Sequence, residues 1–289
     1  MKILIFYSGG KDSQACLIHS VKKYGVENCE AVFCDTGWEN PLTYEHIVNT
    51  TKMMGVKLVI LKSQKYDGMI DLATKKKRFP STKARFCTEE LKSKPAIDYV
   101  LSHNENVIVI EGIRASESFS RSKMQAQCTY FKYYFEAFKS GKKHNYRKKD
   151  VLEWCRKHNA DKIRPLFDWN SQQVVDYIIS YGQTPNPLYY QGFKRVGCFP
   201  CIMANKREIK LIIENHNKRF EELKNYENQL NTSFFPPDYI PKKFCSMSKN
   251  GVKYPHINDV EKYILGKNVT LDMFEETTPS CMSVYNLCE

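Results

Sequence analysis

The sequence lacks a run of about 18 consecutive apolar residues, the length that a membrane-spanning helix requires. The apolar stretch at its start is short and leads into two glycines instead of a small-residue cleavage site. Internal repeats and low-complexity segments are also absent. We therefore expect no membrane span and no cleaved signal peptide, and we predict a cytoplasmic globular protein.

Basic residues and cysteines, by contrast, are abundant. The chain of 289 residues has a net charge of +12, from 44 basic and 32 acidic residues. This balance favours polyanionic partners, either nucleic acid or phosphorylated small molecules, although solubility alone explains it equally well. Among the eleven cysteines, Cys16, Cys29 and Cys34 lie in apolar segments and are expected in the core. The closely spaced Cys198 and Cys201 of "GCFPC" instead indicate metal or redox chemistry.

Strands and helices alternate along the first part of the chain. Apolar runs predict strands at residues 2–8, 31–37, 57–63 and 106–113, and helical spacing predicts helices at 12–24, 43–54, 88–103 and 171–182, the last with Ser171 as its cap. Such alternation implies a parallel sheet with right-handed crossovers. We predict an α/β fold in which an open parallel five-stranded sheet has helices on both faces.

Two stretches depart from this pattern. Residues 115–162 form a polar, aromatic and basic insertion in which only 148–158 has helical spacing. From Pro185 onward the chain is rich in turns, then continues with one amphipathic helix at 205–230 and a cluster of prolines. We therefore place an α/β domain at residues 1–185 and a helical, cysteine-bearing extension at 186–289. The insertion contains the aromatic residues Tyr130, Phe131, Tyr133, Tyr134 and Phe135, a group typical of a core, with base stacking as the alternative.

The string "SGGKDS", residues 8–13, directly follows the first predicted strand. Two adjacent glycines permit backbone conformations and close approaches that other residues do not. The amides of such a turn, followed by a helix amino terminus, bind an anion, and Lys11 adds positive charge. The string is not the Walker motif, which has four residues between its glycines. It predicts a phosphate-binding loop, with an ordinary tight turn as the alternative.

This string resembles the pyrophosphate loop of the PP-loop ATP pyrophosphatases. Enzymes of that superfamily cleave ATP between the α and β phosphates and adenylate an acceptor, while the loop holds the departing pyrophosphate. The resemblance implies an adenine nucleotide alpha hydrolase-like, Rossmann-like fold that binds ATP with Mg²⁺.

Four further segments resemble the phosphoadenylylsulfate reductase group within that superfamily. They are "CDTGWENPLTYEHI", "RFCTEELKSKP", "EGIRASESFSR" and "RPLFDWNSQQVVDYIISYGQTPNPLYYQGFKRVGCFPC", the last of which is similar to the iron–sulfur members. The resemblance covers residues 1 to about 205 without the insertion. It implies that Asp35, Thr36 and Gly37 lie near the adenosine, and that Gly112 and Arg114 lie near a phosphate or the acceptor.

The chain departs from the reductases at two points. Their loop generally lacks the lysine, whereas Lys11 is present here. Their tail carries a Glu-Cys-Gly motif, whereas this chain ends in "PSCMSVYNLCE", which leaves Cys281 or Cys288 as a possible nucleophile. Both departures favour ATP activation over sulfate reduction. They place the chain nearer to the iron–sulfur ATP pyrophosphatases that help to insert sulfur into DNA or tRNA.

In the related reductases, the Cys-x-x-Cys pair and a Cys-Cys pair hold an iron–sulfur cluster. The resemblance therefore implies Cys87, Cys198 and Cys201 as ligands, while Phe86 stands where a fourth cysteine is expected. Candidates for the missing ligand are Cys245, Cys128, Cys281 and Cys288. Zinc and a free dithiol are the alternatives to the cluster.

The resemblance also assigns roles within the loop. It implies that Ser8, Gly9, Gly10, Lys11, Asp12 and Ser13 bind the β and γ phosphates, and that Lys11, Asp12 and Arg114 take part in catalysis. Asp12 is expected either to place Mg²⁺ or to cap the helix.

We predict an ATP pyrophosphatase that adenylates an acceptor for sulfur transfer or nucleic-acid modification. The alternatives are a thioredoxin-dependent sulfonucleotide reductase and a catalytically silent nucleic-acid-binding subunit. The expected partners are an adenine nucleotide, DNA or RNA, and a sulfur-donor protein. The acceptor, the sulfur donor and the oligomeric state are not indicated.

Overall fold

The computed structural model describes residues 1–138 and 141–266. Cys281 and Cys288 lie outside the described residues, so their role stays a prediction.

A six-stranded sheet forms the centre of the α/β part. Its strands are β1 (Lys2–Phe6), β2 (Cys29–Cys34), β3 (Lys57–Leu61), β4 (Val107–Ile110), β5 (Gln127–Thr129) and β6 (Ala160–Ile163). Their order is β3-β2-β1-β4-β6-β5, and every neighbouring pair is parallel except β5 with β6. The predicted α/β fold is confirmed, and five strands are parallel. Neither β6 nor the antiparallel edge strand β5 was located in the sequence, because runs of four and three residues are too short to show a periodic pattern.

The helices follow the strands in alternation and then dominate the extension. They are α1 (Lys11–Tyr24), α2 (Pro41–Met53), α3 (Met69–Lys76), α4 (Phe86–Thr88), α5 (Lys94–Leu101), α6 (Phe119–Ser122), α7 (Lys132–Phe135), α8 (Lys148–Trp154), α9 (Ser171–Ser180), α10 (Pro187–Tyr190), α11 (Lys206–Asn215), α12 (Asn217–Leu230) and α13 (Ile257–Leu265). A π-helical turn, Glu89–Ser93, joins α4 to α5. A hairpin of β7 (Met247–Lys249) and β8 (Val252–Tyr254) precedes α13.

Both faces of the sheet are covered, as the prediction required. Ile3 and Ile5 of β1 pack against α1, α2 and α9, whereas Leu4 packs against α5 and α8 on the other face. A strand that is buried on both faces must be apolar at consecutive positions, which explains the continuous apolar run of β1. This arrangement puts the end of β1 near the middle of the sheet.

Two local predictions were wrong. The stretch at 205–230 forms α11 and α12 instead of one helix, and His216 lies between them with φ −135° and ψ 43°. The His216 ring packs 4.9 Å from the Phe199 ring, a tertiary contact that the helical periodicity does not reveal. In addition, α9 is capped by Asn170 instead of Ser171, since the Asn170 side chain accepts a hydrogen bond from the Gln173 amide (2.9 Å).

The extension packs on the α/β part through one continuous apolar cluster. Its members include Trp38, Leu72, Phe79 and Leu91 from the first part and Phe199, Ile209, Phe220, Phe234 and Val260 from the extension. The domain boundary at 185/186 therefore stays a prediction. None of the helices in the described ranges combines the length and the apolar character needed to span a bilayer.

Candidate functional site

The "SGGKDS" loop lies at the carboxyl end of β1, where α1 begins at Lys11. Gly9 has φ +78°, and a Cβ on it would lie 2.8 Å from Thr43 Cγ2, so both conformation and space require glycine. Gly10 is the residue before the helix, and no side chain caps α1 there. The positive end of the helix dipole therefore faces the loop, and its own N-cap residue provides no capping side chain.

The Ser13 hydroxyl joins the two ends of the loop through hydrogen bonds to its backbone. The Ser8 amide donates to Ser13 Oγ (3.2 Å), and Ser13 Oγ donates to the Gly10 carbonyl (2.9 Å). Within the described part of the chain, the amides of Gly9 and Gly10 have no acceptor. Open amides at a helix amino terminus form an anion-binding site.

Lys11, Asp12 and Arg114 form a charged group beside these amides. Lys11 Nζ lies 3.2 Å from Asp12 Oδ2, and Arg114 Nε donates to Asp12 Oδ1 (2.5 Å). Lys11 and Arg114 are almost fully buried. Asp12 thus bridges two buried cations and does not cap α1, and buried charges of this kind are stable only when paired.

Gly112 explains how Arg114 reaches the loop. A Cβ on Gly112 would lie 2.7 Å from the Ser13 amide nitrogen, so the chain after β4 passes directly over the first turn of α1. Only glycine permits this approach. The predicted Gly-Ile-Arg segment is therefore brought to the loop, with Arg114 on Asp12.

Two residues of the loop's surroundings, Asn186 and Tyr189, were not predicted as site residues. Asn186 Nδ2 donates to the Gly9 carbonyl (3.2 Å), and the Tyr189 hydroxyl accepts from the Lys11 amide (3.1 Å). The Tyr189 ring also lies 5.6 Å from Lys11 Nζ. Both belong to the "NPLY" segment, so the motif itself was the available signal. Its contact with a loop far away in the sequence could not be read from the motif.

The segment after β2 carries the predicted Asp35, Thr36 and Gly37. Asp35 Oδ1 accepts from the Gly37 amide (2.8 Å) and the Tyr44 hydroxyl (2.7 Å), and Lys62 Nζ lies 3.2 Å from Oδ2. Burial alone would raise the pKa of Asp35, but these bonds and the Lys62 charge outweigh it and hold the pKa below its ordinary value. Asp35 is therefore ionised at neutral pH.

Thr36 faces the cysteine segment. Its hydroxyl donates to Glu39 Oε1 (2.7 Å) and lies 3.6 Å from Cys198 Sγ. The Cys198 thiol donates to the same Glu39 oxygen (3.8 Å), and Glu39 and Cys198 form a backbone bridge. Glu39 was missed by sequence reasoning, although it stands in the quoted "CDTGWEN" segment.

Three of the predicted ligands, Cys87, Cys198 and Cys201, lie near one another and near Lys92. Cys201 acts electrostatically on both other thiols, and Lys92 lies close enough to Cys198 that a thiolate there would be the main cause of a raised pKa of Lys92. Burial raises the pKa of the Cys198 thiol to about 11 and also raises that of Cys87. The thiols of Cys87 and Cys198 are therefore protonated at neutral pH, and a metal would bind by displacing their protons.

Neither Cys245 nor Cys128, the two candidates for the fourth ligand that the structure describes, completes a metal shell with these thiols. Cys245 contacts the carbonyls of Ile240 and Pro241, and Cys128 lies on β5, four strands from β2, which is about 19 Å at roughly 4.8 Å per strand. Among the described residues, no three Cys, His, Asp or Glu side chains are arranged as a metal shell. Cys87, Cys198 and Cys201 are donors of the type that a thiolate-bound metal requires, but their side chains are not arranged as a metal shell, so the metal site stays a prediction.

A cavity of about 370 Å³ adjoins the loop on the α5 face of the sheet. The residues that line it include Tyr7 and Ser8 after β1, Cys34 of β2, Glu111 after β4, Lys92, and the insertion residues Tyr130, Tyr133, Tyr134 and His144. Cys34, expected as a core residue, is thus part of a cavity wall. A larger cavity of about 610 Å³ lies at the β5 edge, beside Cys128 and Cys155 and away from the loop.

Comparisons with known proteins match the sequence to one family model and to several relatives. The family model described as "Phosphoadenosine phosphosulfate reductase domain" matches residues 2–204. An uncharacterized protein of Methanocaldococcus jannaschii is 28% identical over 224 residues, 77% of this chain and 41% of that protein. An uncharacterized protein of Escherichia phage 186 is 31% identical over 185 residues, 60% of this chain and 48% of that protein. The chain thus spans about half the length of these relatives.

By sequence, characterized enzymes match shorter segments of the chain. The adenosine 5′-phosphosulfate reductase of Allochromatium vinosum is 27% identical over 95 residues, 33% of this chain and 27% of that enzyme. Among solved structures, the phosphoadenylyl-sulfate reductase of Candida auris has a TM-score of 0.45 and 19% identity, and covers 70% of this chain and 83% of its own. The FMN adenylyltransferase of Candida glabrata has a TM-score of 0.39 and 15% identity, with 68% and 52% covered.

Proposed function

The chain belongs to the phosphoadenosine phosphosulfate reductase domain family, and from that premise we propose that it is a PP-loop enzyme that adenylates an acceptor. In this reaction ATP is cleaved between its α and β phosphates. The main support is the intact "SGGKDS" loop, in which the open amides of Gly9 and Gly10 stand beside buried Lys11. A reaction that releases pyrophosphate needs such a receptacle for the leaving group.

The charged group gives each residue a role in this reaction. A nucleophilic atom of the acceptor attacks the α phosphorus, the bond from that phosphorus to the bridging oxygen breaks, and AMP is transferred. The electron pair of the broken bond leaves on pyrophosphate. Lys11 and Arg114 stabilise the charge that develops there, and Asp12, bridging both, fixes their positions. Mg²⁺ would accompany the triphosphate.

We place the nucleoside of ATP in the adjoining cavity of about 370 Å³, which is within the usual range for ligand pockets. Ser8 belongs both to the loop and to the cavity wall, so a nucleotide would extend from one into the other. Apolar and aromatic side chains line the cavity, as a purine requires.

We also propose that Cys87, Cys198 and Cys201 hold an iron–sulfur cluster, with zinc as the alternative. Bound there, a cluster would supply a site for sulfur that is passed to the adenylated acceptor. Lys92 would offset the charge of the thiolates that form on metal binding. An absorbance spectrum and metal analysis of anaerobically purified protein distinguish the two metals, and Cys198→Ser should reduce the metal content under either assignment.

The function is tested by the products formed from ATP. With denatured DNA or bulk tRNA as the acceptor, the protein should release pyrophosphate and AMP-linked product without ADP. Lys11→Ala should abolish this reaction, while Lys22→Ala, at the far end of the same helix, should retain it. ADP formation, or equal pyrophosphate release from the Lys11→Ala variant, would contradict the proposal.

A second candidate, sulfonucleotide reduction, is favoured by partial similarity to known reductases. The adenosine 5′-phosphosulfate reductase of Neisseria meningitidis is 46% identical over 54 residues, 19% of this chain and 22% of that enzyme. Sulfite release from adenylylsulfate or its 3′-phosphate with thioredoxin, unaffected by Lys11→Ala, would establish it. Salt-sensitive nucleic-acid binding without any nucleotide reaction would indicate the catalytically silent subunit instead.

A further inference from the structure

The insertion concentrates the positive charge of the chain. Residues 115–162 contain 12 Lys and Arg against 5 Asp and Glu, so they hold +7 of the total +12. These 48 residues are only about a sixth of the chain. A charge concentrated in this way indicates a polyanionic partner more strongly than the same charge spread over the whole surface.

The structure divides the aromatic residues of the insertion into two groups. Phe131 and Tyr134 are buried in the core beside Trp154, as expected for a structural cluster. Tyr133 and Phe135 are instead 44% and 48% exposed, and neighbouring Phe138 is 38% exposed. The core interpretation is confirmed for the first group only, and the second group has no packing role that explains its exposure.

Tyr133 and Phe138 form a stacked pair, which we call the aromatic platform. Their ring centroids are 4.3 Å apart and their planes differ by 19°. The Phe138 amide donates to the Lys142 carbonyl (2.7 Å), and the His144 amide donates to the Tyr133 carbonyl (2.8 Å). These bonds hold exposed Lys142 and its neighbour Lys143 beside the platform.

The platform stands at the rim of the cavity that adjoins the phosphate loop. Tyr133 and His144 line that cavity, and Ser8 and Lys92 line it as well. A flexible polymer held on the platform could therefore place one of its units in the cavity. A rigid partner without exposed flat groups could not stack on the two rings.

We propose that the aromatic platform, together with Lys142 and Lys143, binds single-stranded nucleic acid. The inference rests on the proposed function and names the class of its acceptor. Unpaired bases stack on aromatic side chains while lysines contact the phosphates. In a duplex the base faces are already stacked, so a duplex would gain only the charge contacts.

The experiment is equilibrium binding of short fluorescent oligonucleotides by anisotropy, without ATP. Single-stranded DNA or RNA should bind more tightly than a duplex of the same sequence. The double variant Tyr133→Ala/Phe138→Ala should raise Kd roughly 5- to 100-fold, while Tyr133→Phe, which keeps the ring, should bind normally. Lys142→Ala/Lys143→Ala should lower the slope of log K against log salt by about 1.4.

Two matched controls separate this surface from general charge and hydrophobicity. Phe244→Ala removes a ring of the extension that is 45% exposed and has Lys243 Nζ 5.0 Å from its centroid. Lys76→Ala/Lys83→Ala removes two exposed lysines from another basic stretch. Both controls should leave stacking-dependent binding unchanged.

Three results would overturn the inference. They are equal loss in the Phe244→Ala variant, unchanged Kd in the platform variant, and equal affinity for single strands and duplex. Because binding is measured without ATP, it is independent of the proposed reaction. Platform-dependent binding without ATP cleavage would contradict the proposed function alone, and ATP cleavage without such binding would contradict this inference alone.

Discussion

The "SGGKDS" loop and the group of three cysteine thiols lie close together in the fold, yet the chain builds them in opposite ways. The loop consists of six consecutive residues, Ser8 to Ser13, placed between β1 and α1. The thiol group draws Cys87, Cys198 and Cys201 together from two distant segments, with Lys92 among them. A motif of the first kind reveals its chemistry in the sequence, whereas a group of the second kind is complete only once the chain has folded.

Their electrostatics differ as well. The loop presents open amides beside two buried cations, an arrangement ready for an anion. The thiols of Cys87 and Cys198 are neutral at neutral pH, because burial raises their pKa values. The loop thus has its conformation without a ligand, whereas the thiols would lose their protons on binding a metal.

The segment 186–198 connects the two regions. Asn186 and Tyr189 form hydrogen bonds with the loop. Cys198 is one of the three thiols and donates to Glu39. The same segment also passes close to Gly10, since a Cβ on Gly10 would lie 3.6 Å from the Val196 carbonyl oxygen. The comparison therefore predicts that the two regions can be disturbed separately, except by changes in this segment.

The largest effect is expected for Lys11→Ala. Removing a preorganised electrostatic group from a site of charge development typically lowers kcat about 100- to 1,000-fold. Pyrophosphate release should fall by that factor in a steady-state assay, and metal content should not change. If Lys11→Ala also lost metal, the loop and the thiol group would not be independent of each other, contrary to the prediction.

The next effect is the pH dependence of stability that Glu227, in the extension, is expected to cause. Burial raises the pKa of Glu227 to about 7, although its carboxylate accepts from the amides of Phe234 (2.7 Å) and Ile257 (2.7 Å). A group whose pKa is raised by folding stabilises the fold when protonated. The contribution of Glu227 to the free energy of unfolding is complete below pH 4.5, the ordinary pKa of a glutamate, and is lost as the pH rises through about 7.

Glu227→Gln should remove this dependence. One pKa unit corresponds to roughly 1.4 kcal/mol, so the stability of the variant relative to the parent should rise by about 3 kcal/mol across that pH window. Thermal unfolding monitored between pH 4.5 and about 8 measures the difference. A difference that stays constant with pH would show that Glu227 is ionised throughout.

A smaller effect is expected for Tyr189→Phe, which removes one hydrogen bond to the loop and keeps the ring. Such a bond contributes about 1 kcal/mol, so pyrophosphate affinity should fall about fivefold in a calorimetric titration. Tyr181→Phe is the matched control, since the Tyr181 hydroxyl and ring contact Lys22 at the other end of α1. Equal losses in both variants would indicate a general effect on the helix.

The smallest effect on the nucleotide reaction is expected for Cys198→Ser. The variant should lose metal, but pyrophosphate affinity should stay within about twofold of the parent, a change well below that of one hydrogen bond. The same titration measures it, beside metal analysis. A large loss of pyrophosphate affinity would show that the thiol group supports the loop directly.

The sequence predicts the α/β fold and the conformation of the loop because both depend on local patterns. β1 is a continuous apolar run, and Gly9 of the loop stands where a positive φ and the nearby Thr43 side chain require glycine. The edge strand β5 was missed because its pairing with β6 is decided by tertiary contacts, and three residues give no periodicity. The break at His216 was missed for a similar reason, since the apolar spacing continues on both sides of it.

The residues of the site show the same difference between local motifs and tertiary contacts. Lys11, Asp12 and Arg114 were predicted from motifs and lie together. Glu39, Lys92, Asn186 and Tyr189 were not predicted, although all four stand inside quoted segments. Their roles come from contacts between segments, and a single sequence contains no information about which segments will meet.

The most direct test of this account is a crystal structure with a non-hydrolysable ATP analogue and Mg²⁺. We expect the β and γ phosphates to accept hydrogen bonds from the amides of Gly9 and Gly10, with Lys11 Nζ against them. An analogue bound elsewhere, with this turn free of phosphate, would contradict the assignment of the loop and the proposed reaction with it.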